Sequence, residues 1–95
     1  MSKWNYQIDL SEPYEKYEYG QLDFVGLAEE YQAILFEFIR NNPAISELHR
    51  FDDFEFAVND LNLSESEEDI DICLEEIYNF ADDHRIWINT IGGGK

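Results

Sequence analysis

The sequence predicts an α+β domain, mostly helical, with about four helices and a small two-stranded sheet formed by the N- and C-terminal strands. Three observations predict it. Residues 24–38 repeat apolar side chains at spacings of three and four, the period of an amphipathic helix. Residues 64–83 do the same on one side and are dense in acids on the other. Only the two ends, residues 4–10 and 85–91, carry the alternation or the β-branched and aromatic enrichment of strands. The chain has 95 residues, which suits a single domain over residues 1–91, with the terminal Gly-Gly-Gly-Lys at 92–95 expected as a flexible tail.

Each element has a local reason. Trp4, Tyr6, Ile8 and Leu10 alternate with polar neighbours, as in a half-buried strand. Ser11 offers a helix cap, Pro13 stands in the first turn where its missing N–H costs little, and the helix over 12–19 should end at Gly20. Asp23 can cap a second helix reaching about Asn41. Its apolar stripe is Phe24, Leu27, Ala28, Tyr31, Ile34, Leu35 and Phe38, and Val25, Phe36 and Ile39 widen it. So wide an arc implies contacts on more than one side, so this is the expected central helix. Asn42-Pro43 ends it, because a residue before proline disfavours helical backbone.

Residues 44–50 allow a short helical turn. Asp52 and Glu55 then have capping-box spacing, ahead of a helix that would bury Phe54, Ala57, Val58 and Leu61. The alternation of Phe54, Phe56 and Val58 leaves helix or strand open for residues 52–61. Ser64 and Glu67 repeat the box at the head of the acidic helix. Arg85-Ile-Trp-Ile-Asn-Thr-Ile91 reads as a strand to pair with the first one. A lone ribbon is marginal in water, so it must pack on the helices.

Composition narrows function. Apolar residues make up 44% and aromatics 16%, enough for a core, which excludes a disordered acidic tail. Twenty-two Asp and Glu against six Lys and Arg give a net charge of −16. That field repels nucleic acid and anionic membranes and attracts basic surfaces, above all phosphate-binding grooves. Direct nucleic-acid binding and membrane binding are therefore not expected. The single cysteine, Cys73, forms no intramolecular disulfide and no cysteine-based zinc site, and fits a reducing cytoplasm. The N-terminal residues lack the apolar run of a signal peptide, and no segment approaches a membrane span.

In the acidic helix, Ile70, Cys73, Leu74, Ile77, Phe80 and Ala81 should face the core. Glu65, Glu68, Asp69, Asp71, Glu75, Glu76, Asp82 and Asp83 should face away. Like charges three or four apart destabilise a helix by roughly 0.2–0.5 kcal/mol per pair. No Lys or Arg relieves them between Ser64 and Arg85. A solvating face normally mixes signs; this one points to a cationic partner. Ile72 projects from the acidic arc. Single exposed aliphatics are ordinary, but an apolar residue ringed by charge is also the layout of an interface centre. Asp52 and Asp53 add acid to the same reading. Tyr14, Tyr17 and Tyr19 interleave with Glu12, Glu15 and Glu18 as a second contact patch, at least one of them packing on the core.

Other chemistry is weakly represented. Residues 60–71 carry oxygens at several positions of a calcium loop, but Glu65 occupies the glycine position and Asp71 the final glutamate. Asp83 and His84 are adjacent and do not face each other on a helix; His84 is expected to cap the helix end, Cys73 to be a small buried hydrophobe, and Trp4 and Trp87 to be core. So few His, Cys and Lys argue against an enzyme, and no cofactor is expected.

In size, charge and the acidic helix, the chain resembles small acidic inhibitor proteins: phage anti-restriction and anti-CRISPR proteins, DNA mimics, and bacterial immunity proteins that neutralise nucleases. The resemblance is to a functional class and assigns no residue roles. It implies a non-enzymatic inhibitor that occupies the basic surface of a nucleic-acid-binding enzyme. The alternative is a structural or adaptor protein whose acidity serves solubility.

Overall fold

The computed structural model describes residues 3–90. The order is β1 (Tyr6–Asp9), α1 (Ser11–Glu18), α2 (Phe24–Asn41), a 3₁₀ turn at Pro43–Glu47, α3 (Phe51–Asp60), a 3₁₀ turn at Leu61–Leu63, α4 (Glu67–Asp83) and β2 (Ile86–Asn89). This is the α+β arrangement of four helices and two paired end strands. The glycine tail at 92–95, and Ile91 of the expected last strand, lie outside the described residues.

β1 and β2 are parallel, with Tyr6 opposite Ile86 and Ile8 opposite Ile88. A parallel pair needs a long crossover, and here the crossover contains every helix. The Asn5 N–H donates to the Arg85 carbonyl at 2.7 Å and the Leu10 N–H to the Asn89 carbonyl at 2.6 Å, which extends the ladder at both ends. Ile8 and Ile86 are buried, and Tyr6 meets Phe38 of α2 edge-on at 5.8 Å. The ribbon thus rests on α2 through β1 and on α4 through β2. Trp4 and Trp87 are half-buried rather than core. Strand alternation puts Trp87 on the opposite face from Ile86, and the two indoles pack on each other at 5.3 Å.

α2 is central, packing on the other three helices, on β1 and on both 3₁₀ turns. Asp23 caps it, its carboxylate accepting the Gly26 N–H at 2.9 Å. Leu27, Ala28, Tyr31, Leu35 and Phe38 are buried, and Ile34, Phe36 and Ile39 are partly so. Val25 is exposed, at the outer edge of the arc. Residues 52–61 are helical up to Asp60, with Phe54, Ala57, Val58 and Leu61 all buried.

Three helix starts differ from the sequence reading. Ser11 is the first residue of α1, not its cap; both its N–H and its hydroxyl donate to the Asp9 carboxylate. The box at Asp52 and Glu55 does not cap α3. Phe51 is drawn into the core beside Phe54 and Phe80, which starts the helix earlier and leaves Arg50 at the cap with φ of 67°. α4 is capped by Ser66, whose hydroxyl accepts the Asp69 N–H at 3.4 Å, rather than by Ser64. The buried Leu61 prolongs the preceding turn, and Ser64 closes it by donating its N–H to the Leu61 carbonyl.

The ends behave as their chemistry suggests. Gly20, φ 78°, supplies the left-handed residue that stops α1. His84 is the C-cap of α4, and its Nε2 lies 2.9 Å from the His49 carbonyl, tying the helix end to the segment that leads into α3.

Candidate functional site

The candidate site is α4 and what lies on either side of it. Its buried stripe, Ile70, Leu74, Ile77, Phe80 and Ala81, packs on α3, β2 and α2; Cys73 is only half-buried at the stripe's edge. Burial pushes the Cys73 thiol up, so it stays protonated. At about 100° per residue the rest of the helix divides in three. Glu68, Glu75 and Asp82 form the crest. Glu67, Asp71 and Tyr78 form one shoulder, and Ile72, Glu76 and Asp83 the other. All of these except Tyr78 are exposed.

The acids have unequal reasons to be there. Glu67, Glu68 and Asp69 stand in the first turn, where they complement the helix dipole. Asp69 is also half-buried and structural: its carboxylate accepts the Glu65 N–H at 2.8 Å. It therefore belongs to the cap and not to a free face, and Glu65 precedes the helix. Asp82 and Asp83 occupy the last turn, which holds no basic residue and where the dipole opposes negative charge. Among the described residues the ion pairs are Lys16–Glu30 at 3.5 Å and Arg50–Asp53 at 2.9 Å, so no α4 carboxylate is paired. Some relief comes across space. Arg50 shares a shallow hollow with Asp53, Glu76 and Asp83, and the Asp53 carboxylate, then the Asp83 and Glu76 charges, hold its guanidinium even more firmly protonated. Sequence spacing did not reveal that proximity.

On the Tyr78 shoulder α1 and α4 enclose a cleft of about 380 Å³. Tyr14 and Tyr17 reach it from α1, Tyr31 from α2, and Glu67, Asp71, Glu75 and Tyr78 from α4. Its apolar wall is Leu27, Ile70 and Leu74, and no Lys or Arg lines it. All four phenols are pushed up and stay neutral: Tyr14 mainly by the Glu18 charge, Tyr17 mainly by hydrogen bonding to the Glu67 carboxylate, Tyr31 and Tyr78 mainly by burial. The expected tyrosine patch is therefore not separate from the acidic helix; Tyr14 and Tyr17 join it, while Tyr19 stands apart and exposed.

On the other shoulder Ile72, 64% exposed, is joined by Phe56 of α3, 69% exposed. They line a groove of about 210 Å³ with Ala57 and Cys73, and Asp53, Asp60 and Glu76 contribute acid to its lining. Asp52 is exposed in the first turn of α3 and lines neither the groove nor the cleft. Asp82 instead borders the Trp4–Trp87 pair.

Sequence reasoning missed Glu67, Tyr31, Tyr78 and Phe56 as site residues. Tyr78 lies three and four residues from Glu75 and Leu74, a spacing that could have placed it on the shoulder. Residues 60–71 do not form an open ion-binding loop: Asp60 ends α3, and residues from Glu67 onward are helical. No group of three or more His, Cys, Asp or Glu among the described residues is arranged to hold a metal, and no helix among them is long and apolar enough to cross a membrane.

Comparison with protein-family models, with curated proteins and with solved structures finds no match to this chain.

Proposed function

We propose that the protein is a non-enzymatic inhibitor that presents α4 to the basic surface of a nucleic-acid-binding enzyme, a nuclease or defence protein, in the manner of a DNA mimic. The observation that carries this reading is acid placed where it costs the fold. Asp82 and Asp83 stand in the last turn of α4 against the helix dipole, and Glu75 and Glu76 stand side by side at mid-helix, all four unpaired among the described residues. A face whose only task is solubility gains nothing from that placement, because mixed signs would serve as well.

Charge density supports the same reading. Apart from the capping Asp69, α4 carries seven carboxylates in 17 residues, a length of about 25 Å, or one charge per roughly 3.6 Å of axis. One strand of B-DNA carries a phosphate per about 3.4 Å. A groove built to neutralise phosphates meets a similar linear density on this helix. The long-range field would accelerate encounter, and the apolar Phe56–Ile72 groove would slow release. The single half-buried cysteine suits action in the cytoplasm, the host's if a phage encodes the chain.

The test is competition. Partner bound to the immobilised protein at low salt should elute over a narrow salt range and be displaced by DNA or RNA. A second reading, an adaptor whose acidity serves solubility, is favoured by the exposure of Phe56 and Ile72; it expects a partner held through that groove and insensitive to salt.

A further inference from the structure

The cleft between α1 and α4 has features that bulk acidity does not explain. Four tyrosines converge on it: Tyr14, Tyr17, Tyr31 and Tyr78. Tyr31 is only 2% exposed, and the edge it leaves uncovered lines the cleft. The cavity they line is about 380 Å³, in the size range of ligand pockets. Glu67, Asp71 and Glu75 line the same cavity at intervals of four residues, roughly 6 Å apart along α4. The walls offer π faces, neutral hydroxyls and carboxylates, and no positive charge.

That inventory suits one chemistry. A guanidinium is planar, stacks on aromatic faces and pairs with carboxylates in a two-pronged geometry. It is more weakly hydrated than an ammonium, so entering a half-buried site is easier. The apolar wall of Leu27, Ile70 and Leu74 would cover the methylene stem. Lys16, the cation of α1, is not a competitor, since Glu30 of α2 holds it at 3.5 Å.

We infer that the tyrosine cleft is a receptor for an arginine side chain of the basic partner. This rests on the proposed function and adds where, and by which residue type, the partner is gripped.

The experiment titrates the full chain with hexa-arginine, hexa-lysine and hexa-citrulline peptides at low salt, and separately with spermine, following the tyrosine ring resonances by NMR. The arginine peptide should shift the Tyr14, Tyr31 and Tyr78 rings, bind at least tenfold more tightly than the lysine peptide, and lose at least tenfold in affinity in Glu67→Gln/Asp71→Asn. Both substituted residues are exposed, so the variant should keep its fold, which the unperturbed Phe54 and Phe80 ring signals would verify. The inference is overturned if the arginine and lysine peptides shift only α4 crest resonances, if citrulline serves as well as arginine, or if spermine takes the cleft more tightly than the arginine peptide. In those cases the acidic helix can still be an inhibitor's contact face. If neither cationic peptide perturbs α4 at all, the inference and the proposed function fall together.

Discussion

The rings of Phe54 and Phe80 lie stacked, 4.5 Å between centroids and 16° from parallel. They join α3 to α4, and Phe51 and His84 pack on Phe80 at 6.3 and 4.6 Å. Everything proposed for α4 depends on this clamp, because it keeps a helix of eight carboxylates docked on the core with its crest outward.

Phe54→Ala should therefore be severe. Phe54 is fully buried, and truncating a core phenylalanine costs about 3–5 kcal/mol. Domains of this size have only about 5–15 kcal/mol in total. Urea unfolding followed by circular dichroism should show most of the stability gone; a loss below about 1 kcal/mol would mean the cluster is not the clamp described here.

The acids of the last turn should behave in the opposite way. Asp82→Asn/Asp83→Asn removes charge that the helix dipole opposes, and should raise stability by about 0.3–1 kcal/mol at low salt. The gain should fade near 1 M salt, where the screening length is about 3 Å. Wild-type stability should itself rise with salt as self-repulsion is screened.

Stability should fall at both extremes of pH, for different groups. Burial holds the Tyr31 phenol well above its ordinary value of 10.0. A folded-state pKa above the unfolded one contributes stability that is complete below pH 10.0 and is lost as pH rises through the folded value. Tyr31→Phe should thus flatten the alkaline loss and, because it keeps the ring packed in place, cost less than about 1.5 kcal/mol at neutral pH. On the acid side, hydrogen bonds from Ser11 hold Asp9 below its ordinary 3.8. That contribution is present above 3.8 and lost as pH falls through the lower folded value, so Asp9→Asn should flatten the acid limb. Urea midpoints across pH would check both.

Carboxylates and apolar groove should separate kinetically. Phe56→Ser/Ile72→Ser removes exposed side chains, so stability should change by less than about 0.5 kcal/mol per site. Partner dissociation should accelerate while association rate and salt slope stay nearly unchanged. An equal loss in association rate would place these residues in steering and not in retention.

How much of this was legible in the sequence differs by feature. The central helix and the acidic helix could be read directly, because their periodicity is long and bounded by caps such as Asp23. Cap positions were less legible. Ser64-x-x-Glu67 and Ser66-x-x-Asp69 are both box-like, and the choice between them depends on Leu61 reaching the core, a tertiary fact. Asp52 lost its capping role for a similar reason, the burial of Phe51. The acidic face was visible, but its concave flanks were not. Tyr31 read as core and is buried, yet its place in the cleft depends on how α1 lies against α4. Phe56 becomes a surface feature only once residues 52–60 are helical and the core side is taken by Phe54 and Val58. Nothing local announces that Arg50 comes near Glu76 and Asp83.

The most direct test compares wild type with Glu68→Gln/Glu75→Gln/Glu76→Gln. Each is immobilised in source or host lysate at low salt and eluted with a salt gradient, with DNA displacement run in parallel and bound proteins identified by mass spectrometry. The expected result is a nuclease or other nucleic-acid-binding enzyme that elutes sharply with salt from the wild type, is displaced by DNA, and is lost or bound with a flatter salt dependence by the triple variant, whose fold is unchanged or more stable. A partner that resists high salt, ignores DNA, or binds the triple variant equally well would contradict the claim that the acidic face of α4 is the contact.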